Sequence, residues 1–560
     1  MRHSNFHRHI AAAVLATACI ASPLTAQTTD EELRAHPEFT NSNYLLYPEP
    51  ANAKYTKAPA GYKAFYLSHY GRHGSRYSHS DEDYKYLSET LSKADSLGKL
   101  TETGKQALAY VHVLATKAAP RAGELTQVGV RQHQGIARRM AKNFPEIFTE
   151  RAVAGKGAKG AKNAKVAPRV KAYASTSGRC IVSMSAFLGE FRTLFPKAEV
   201  EMLSGKSYMP FICPFDWGRL EYSQLKSYTD ESGKLWTAVN PAPFMAKLFS
   251  DTAYVAKNID AGKFFNRFIE TASQNPGLDE SVLEDIEREA KVPAETFLDL
   301  FTTEEKITRW KAQNSWWYSL LGTSPLINVQ DGINFGKGIL QNILDEADTV
   351  IAADTLKAAA KNAAATDAKN ATADAKNAAA DTLKTAAEKS DMTPVAATLR
   401  FGHDTGLLPL AALMQLPLAD AKVSDLSKLH EQWTDFRVIP MAANMQIVFY
   451  KSTKPAAKSA ANAKNATASK AAKGAAAKTA PILVKLLYNE IEQTLPIPCG
   501  FAESAQSIAN ATAQTANMNA NATAAQSIAN ATAQTANKDC PAAPYYRWED
   551  FRAFYTNLLK

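Results

Sequence analysis

The stretch Ala64-Phe65-Tyr66-Leu67-Ser68-His69-Tyr70-Gly71-Arg72-His73-Gly74-Ser75-Arg76-Tyr77 decides the fold. Its first four residues are an apolar run that reads as a buried strand, and Ser68 onward reads as a glycine-containing loop. A histidine between two arginines is therefore expected where a strand ends. Open α/β sheets bind their ligands there, outside the carboxyl ends of the strands. Gly71 and Gly74 permit a tight turn and a close approach of backbone to ligand. Arg72 and Arg76 supply forked donors suited to a phosphate or a carboxylate. The competing reading is a basic surface loop whose histidine is incidental, and the rest of the chain has to decide between the two.

Downstream, 81–104 and 106–117 have helical periodicity, and Thr126 is placed to cap a further helix through Met140. Arg169 to Ser175 reads as a short strand leading to Thr176-Ser177-Gly178-Arg179-Cys180. The helix after it carries Ile181, Met184, Phe187, Leu188 and Phe191 along one stripe. Arg179 thus stands at a helix start behind a strand, a second ligand-facing position. Val395 to Leu399 is expected as a strand and Arg400 to Gly406 as a turn carrying His403 and Asp404. An apolar helix, Leu407 to Leu416, follows. Asn444 to Tyr450 and Ile482 to Tyr488 read as strands, and Trp548 to Leu559 as a closing helix.

Alternation of strands and helices predicts an α/β fold: a mostly parallel sheet with flanking helices, plus an inserted, smaller helical domain. The expected division is a signal peptide at 1–26 and an α/β domain from 27–210 and 393–560. Low-complexity insertions interrupt that domain near 154–166, 453–480 and 502–538. A helical domain is expected at 211–351 and an Ala/Lys/Asn tract at 352–392. Residues 28–63, polar and proline-containing, read as an irregular arm. Trp310, Trp316, Trp317 and Tyr318 read as core or cleft wall. The tracts have too little apolar bulk to fold alone.

Arg2 and Arg8 precede an apolar segment from Ile10 to Ile20, and Ala26 is a small residue placed for cleavage, as in an export leader. The expectation is a periplasmic, secreted or cell-surface protein, with lipid anchoring through Cys19 as the second choice and no transmembrane segment after cleavage. Four cysteines then remain: Cys180, Cys213, Cys499 and Cys540. The pairing expected is Cys499 with Cys540, because those two bracket a repeated Ala/Asn/Thr insertion. The net charge of +9 does not point to nucleic acid. Lys156, Lys159, Lys162, Lys165, Lys454, Lys458, Lys464, Lys470, Lys473 and Lys478 are enough to account for the whole excess, and they alternate with Ala and Asn instead of aromatics. Gly155, Gly157 and Gly160 spell a dinucleotide-type fingerprint without the strand, helix and acid that it needs. No cofactor is expected, and no Cys or His spacing suggests a metal.

If Arg72-His73 with Arg76, Arg179, and His403-Asp404 meet at one sheet edge, they form a small pocket with three guanidiniums, two imidazoles and a carboxyl. Phosphoryl transfer asks for charge neutralisation on three oxygens, an in-line nucleophile and a proton for the leaving oxygen. Imidazole serves as nucleophile when a backbone carbonyl fixes its other nitrogen. Asp404 has a rival role as a helix N-cap. Asp404-Thr405-Gly406 also spells the aspartic-protease triplet, but that chemistry needs a second copy, which the sequence lacks.

Arg72-His73-Gly74-x-Arg76, Gly123-x-Leu125-Thr126-x-x-Gly129, Ser175-Thr176 with Arg179, and His403-Asp404 follow one another as in the histidine acid phosphatase branch of the histidine phosphatase superfamily. The chain resembles that branch, which includes phytases and multiple inositol polyphosphate phosphatases. Tyr77 and Arg179-Cys180 are most similar to the latter. His403-Asp404 departs from their common His-Ala-Glu, and Ser78 stands where they often have Pro. The resemblance implies His73 as nucleophile, Asp404 as proton donor, and Arg72, Arg76, Arg179 and His403 as ligands of the phosphoryl group. It implies a phosphomonoesterase acting on a small phosphorylated substrate, with inositol polyphosphates first and a general acid or sugar phosphatase second. A non-catalytic surface binding protein is the alternative from another class, and a mutase of the same superfamily is disfavoured.

Overall fold

Strand β1, Tyr62–Arg72, is buried from Ala64 onward and forms the middle of an eight-stranded sheet. The structure is a computed structural model that describes residues 27–50, 53–153, 164–215, 233–325, 329–370, 395–453, 480–504 and 540–560. The expected leader at 1–26 with Cys19 and most of the low-complexity sequence (154–163, 371–394, 454–479 and 505–539) lie outside the described residues. The other strands are β2 (Arg169–Ala174), β3 (Glu199–Ser204), β4 (Val395–Gly402), β5 (Asn444–Ser452), β6 (Leu483–Tyr488), β7 (Ile491–Glu492) and β8 (Tyr546–Arg547). Their order is β8-β6-β5-β1-β4-β2-β3, with β7 paired to β6. β1, β4, β2 and β3 are parallel neighbours, whereas β5 to β8 add by antiparallel pairing. The sheet of this α/β fold is mixed, with five of its eight strands (β1 to β4 and β6) running the same way, so that it is mostly parallel in strand direction.

Both faces of the sheet are covered. On one, Leu67 and His69 of β1 face α3 (Gln127–Asn143) and α4 (Gly178–Leu194); the core there holds Ile136, Met184, Phe187 and Phe401. On the other, Tyr66 and Tyr70 face α7 (Thr303–Leu321), α8 (Val329–Asn370) and α9 (Asp404–Leu413), in a core with Trp317, Leu344, Leu408 and Trp433. α10 (Trp548–Leu559) closes that side. A separate aromatic core joins α1 (Asp81–Ser96) and α2 (Glu102–Val113) to α5 (Ala261–Ser273) and α6 (Glu280–Ala290). Residues 211–351 thus contribute to two cores, the sheet's through Trp317 and Leu344 and the aromatic one through Phe264 and Phe268.

Three expectations need correction. β1 runs on through Ser68 and His69 to Arg72, and β4 runs to Gly402 without turning at Arg400. The polar residues that broke the apolar runs find partners inside. Arg400, fully buried, donates to Ser68 Oγ (3.0 Å) and Asn342 Oδ1 (2.9 Å) and pairs with Glu346 (2.8 Å). Asp404 is the first residue of α9 and not its cap, which falls on His403. The arm is ordered: a short helix, Asp30–Ala35, leads into a 3-10 segment, Pro37–Tyr44, in which Thr40, Asn41, Ser42 and Asn43 are buried. Other expectations hold. Thr126 caps α3 by accepting the Gly129 N–H at 3.3 Å, and Cys499 is bonded to Cys540 with Cα atoms 5.9 Å apart. Cys180 and Cys213 are free thiols. Among the described residues no helix is long and apolar enough to cross a membrane.

Candidate active site

Parallel pairing brings the motifs together. β1 and β4 are aligned so that Arg72 faces Gly402, and the His73 N–H donates to the Gly402 carbonyl at 3.0 Å. β4 and β2 are aligned so that Phe401 faces Ala174, and the Ser175 N–H donates to the Phe401 carbonyl at 3.0 Å. Three adjacent strands therefore end level, and Arg72-His73, Ser175 to Arg179, and His403-Asp404 emerge side by side. All six expected site residues are at this edge.

His73 is buried, with Nδ1 2.9 Å from the Gly74 carbonyl. A carbonyl only accepts, so Nδ1 carries the proton and Nε2 keeps its lone pair. Burial first, then the charges of Arg179 and Arg72, hold this imidazole well below its ordinary pKa, so it is neutral. Its ring lies edge-on to His403, with centroids 5.5 Å apart. His403 Nδ1 is 3.3 Å from Arg179 Nη2 and Nε2 is 2.9 Å from Ser175 Oγ. A guanidinium only donates, so Nδ1 accepts and Nε2–H donates to the serine. Burial and Arg179 keep His403 neutral as well, against the pull of Asp404.

Arg72 is fully buried and anchored through Nη1 to the carbonyls of Asn43 (2.5 Å) and Ile439 (2.6 Å). Its Nη2 is 2.8 Å from Asp404 Oδ2, an ion contact without hydrogen-bond alignment. Arg76 donates through Nη1 to the Tyr77 carbonyl at 2.9 Å and stands 5.6 Å from the Tyr44 ring centre. The buried Nε of Arg72, Arg76 and Arg179 and Nη2 of Arg72 have no hydrogen-bond partner in the protein. Buried donors of this kind demand an acceptor. An anion of tetrahedral shape offers several acceptors to forked donors.

Asp404 accepts from the Thr405 N–H on Oδ1 (2.9 Å) and from Asn43 Nδ2 on Oδ2 (3.1 Å). Burial alone would raise its carboxyl, but Arg72, Arg76 and the Thr405 N–H outweigh it and hold the group below the usual range. Cys180 lies behind the site, its Sγ 3.1 Å from the Gly402 carbonyl and 3.5 Å from His403 Nε2; burial pushes the thiol up to about 12, so it stays protonated.

Gly74 is required for space. A Cβ there would come within 2.6 Å of Gly129 Cα and of the Gly129 carbonyl oxygen, so the loop lies directly on the first turn of α3. Thr126 and Gln132 of the same helix hold Ser75 by its carbonyl (3.1 Å) and its N–H (2.9 Å). The sequence reading missed Asn43 and Tyr44, which contact Arg72, Asp404 and Arg76 from the arm. No motif or apolar pattern marks them, and their partners lie outside the arm, Arg72 and Arg76 in the β1 loop and Asp404 far along the chain.

A sheet edge with three converging guanidiniums and an imidazole nitrogen that keeps its lone pair defines an anion site built around histidine. A profile of the histidine phosphatase superfamily (branch 2) matches residues 71–489. The chain belongs to that family. In fold it is similar to the Bifidobacterium longum multiple inositol polyphosphate phosphatase. Against the structure of that enzyme with phosphate, the identity is 15% and the TM-score 0.54, over 82% of this chain and 93% of the other. Against its complex with inositol hexasulfate the identity is 14% and the TM-score 0.54 over the same shares. No curated protein matches the chain in sequence.

Proposed function

We propose that this protein is an exported phosphomonoesterase working through a phosphohistidine, with inositol polyphosphates as its leading substrates. The observation that carries the reading is the set of unpaired guanidinium donors around a neutral imidazole whose Nε2 is left free by the Nδ1 contact to Gly74. In the first step His73 Nε2 attacks phosphorus and the ester P–O bond breaks. Asp404 gives its proton to the departing oxygen, which leaves as an alcohol. In the second step water attacks the phosphohistidine, the Asp404 carboxylate takes a proton from it, and the N–P bond breaks to release inorganic phosphate. Arg72, Arg76 and Arg179 hold the phosphoryl oxygens throughout, and His403 joins them once its Nε2–H turns from Ser175 Oγ to a phosphoryl oxygen.

The leader and the Cys499–Cys540 bond support export, since disulfides persist in oxidising compartments. The Arg72–Tyr77 motif, Arg179-Cys180 and the shared fold support inositol polyphosphates. His403-Asp404 favours a second reading, a general acid or sugar phosphatase. Rates on phytate, glucose 1-phosphate and an aryl phosphate, with trapping of an acid-labile phosphoenzyme, test both. Preference for phytate supports the first, and preference for either simple ester supports the second. Absence of both turnover and phosphoenzyme leaves a binding protein and ends the enzymatic reading.

Gly74→Ala tests the packing of the loop. Opening the contact with α3 should cost about 1–3 kcal/mol of stability. A displacement of about 1 Å at His73 should lower turnover about 100-fold. A thermal melt and a specific activity measure both effects, and wild-type activity in the variant would show that the loop tolerates the shift.

A further inference from the structure

Asn43 stands behind the site at a point of unusual constraint. The residue before it, Ser42, has φ 60° and ψ −140°, a region that costs an ordinary residue about 1–3 kcal/mol. That conformation is held by the Ser42 hydroxyl, which donates to buried Asp435. Asp435 is itself fixed by Trp310 Nε1 (3.0 Å) and the Phe436 N–H (2.8 Å). The strained turn aims both polar groups of Asn43 inward. Its carbonyl takes Arg72 Nη1 at 2.5 Å, and its amide donates to Asp404 Oδ2 at 3.1 Å. Asn43 is 5% exposed, so water does not substitute freely for either contact.

The two oxygens of Asp404 are thereby unequal. Oδ2 meets the Asn43 amide and, at 2.8 Å, Arg72 Nη2, whereas Oδ1 receives only the Thr405 N–H. A proton on Oδ2 would face the Asn43 amide N–H and the Arg72 charge; on Oδ1 it faces a single backbone N–H. We propose that Asn43 is a positioning residue for Asp404, occupying Oδ2 so that Oδ1 carries the transferred proton. The inference rests on Asp404 as proton donor. Other groups also act on this carboxyl: Arg72 and Tyr70 from β1, Arg76 and His79 from the loop, Arg179 and Cys180 from α4, Cys213 after the helix Met209–Ile212, and adjacent His403. Removing Asn43 leaves all of them in place.

The test is the pH dependence of kcat for an alkyl phosphate in Asn43→Ala and Asn43→Asp, with an aryl phosphate alongside. Losing one donor to the carboxylate should move the alkaline limb upward by on the order of one pH unit in Asn43→Ala. Asn43→Asp, which sets a second carboxyl against the first, should move it further. The aryl rate, which depends little on the proton, should keep its profile. An unmoved limb, with alkyl and aryl rates falling in parallel, is the result of a purely structural role and overturns the proposal. Asn43→Asp keeps the side-chain size and the backbone carbonyl, so it decides alone if Asn43→Ala does not fold. A wild-type limb that survives Asp404→Asn overturns the donor assignment along with this inference. A limb that disappears in Asp404→Asn but stays put in the Asn43 variants overturns this inference only.

Discussion

His73→Ala is expected to abolish phosphate release, by at least about 10,000-fold, and to remove any trapped phosphoenzyme. The magnitude follows from the absence of a substitute among its neighbours. Among the described residues His403 is the one other imidazole in contact with the His73 ring, and both of its nitrogens are engaged, by Arg179 and Ser175. Cys180, the nearby thiol, is held protonated by burial and turned toward the Gly402 carbonyl. The substitution should leave the anion site intact, because Arg72 is anchored by Asn43 and Ile439, and Arg179 by its own helix. Inorganic phosphate should therefore still bind in equilibrium dialysis, and the melting temperature should change little. Turnover near that of the wild type would remove the nucleophile assignment, and a phosphohistidine mapped to another residue would move it.

Asp404→Asn is expected to divide substrates by leaving group. An amide has no acidic proton to give, so alkyl phosphates such as phytate should slow by about 100- to 10,000-fold, the usual span of general acid catalysis. An activated aryl phosphate, whose leaving oxygen departs without a proton, should lose far less. Equal losses on both would make Asp404 a structural residue at the start of α9. The same geometry fixes the pH response. The donor must be protonated, and in the free protein its carboxyl is held low by Arg72 and Arg76 against burial. The competent form is thus lost as pH rises, and kcat/KM for alkyl phosphates should fall from acid toward neutral pH. His73 works in the opposite sense without limiting the rate: its depressed pKa keeps Nε2 unprotonated at acidity where an ordinary imidazole, with a pKa near 6.5, would be charged. A bound phosphate raises the carboxyl again, so the fall in kcat should come at higher pH than the fall in kcat/KM.

Much of this edge was legible in the sequence because its residues sit next to punctuation. Glycine follows His73, a serine-glycine pair precedes Arg179, and an apolar helix follows Asp404. The strand limits were not legible, because Ser68, His69 and Arg400 look like loop residues until their buried partners are known. The arm was the largest gap. Thr40 to Asn43 are polar, yet they are buried, since Ser42 reaches Asp435 and Asn43 reaches Asp404 through contacts that no local pattern announces. Propensity and periodicity report on neighbours along the chain, whereas Ser42 and Asn43 are placed by partners far along it.

The level ends of β1, β4 and β2 bear on how much the sequence between them can grow. Hydrogen bonds across the sheet fix where each motif emerges, whatever path the chain takes before returning. The entropy of closing a flexible loop rises only with the logarithm of its length, about 0.6 kcal/mol for each doubling. Residues added ahead of Val395, or between β5 and β6, should therefore add little to the cost of assembling the pocket. Epitope tags or fluorescent reporters inserted at those two places should be carried without loss of the catalytic geometry.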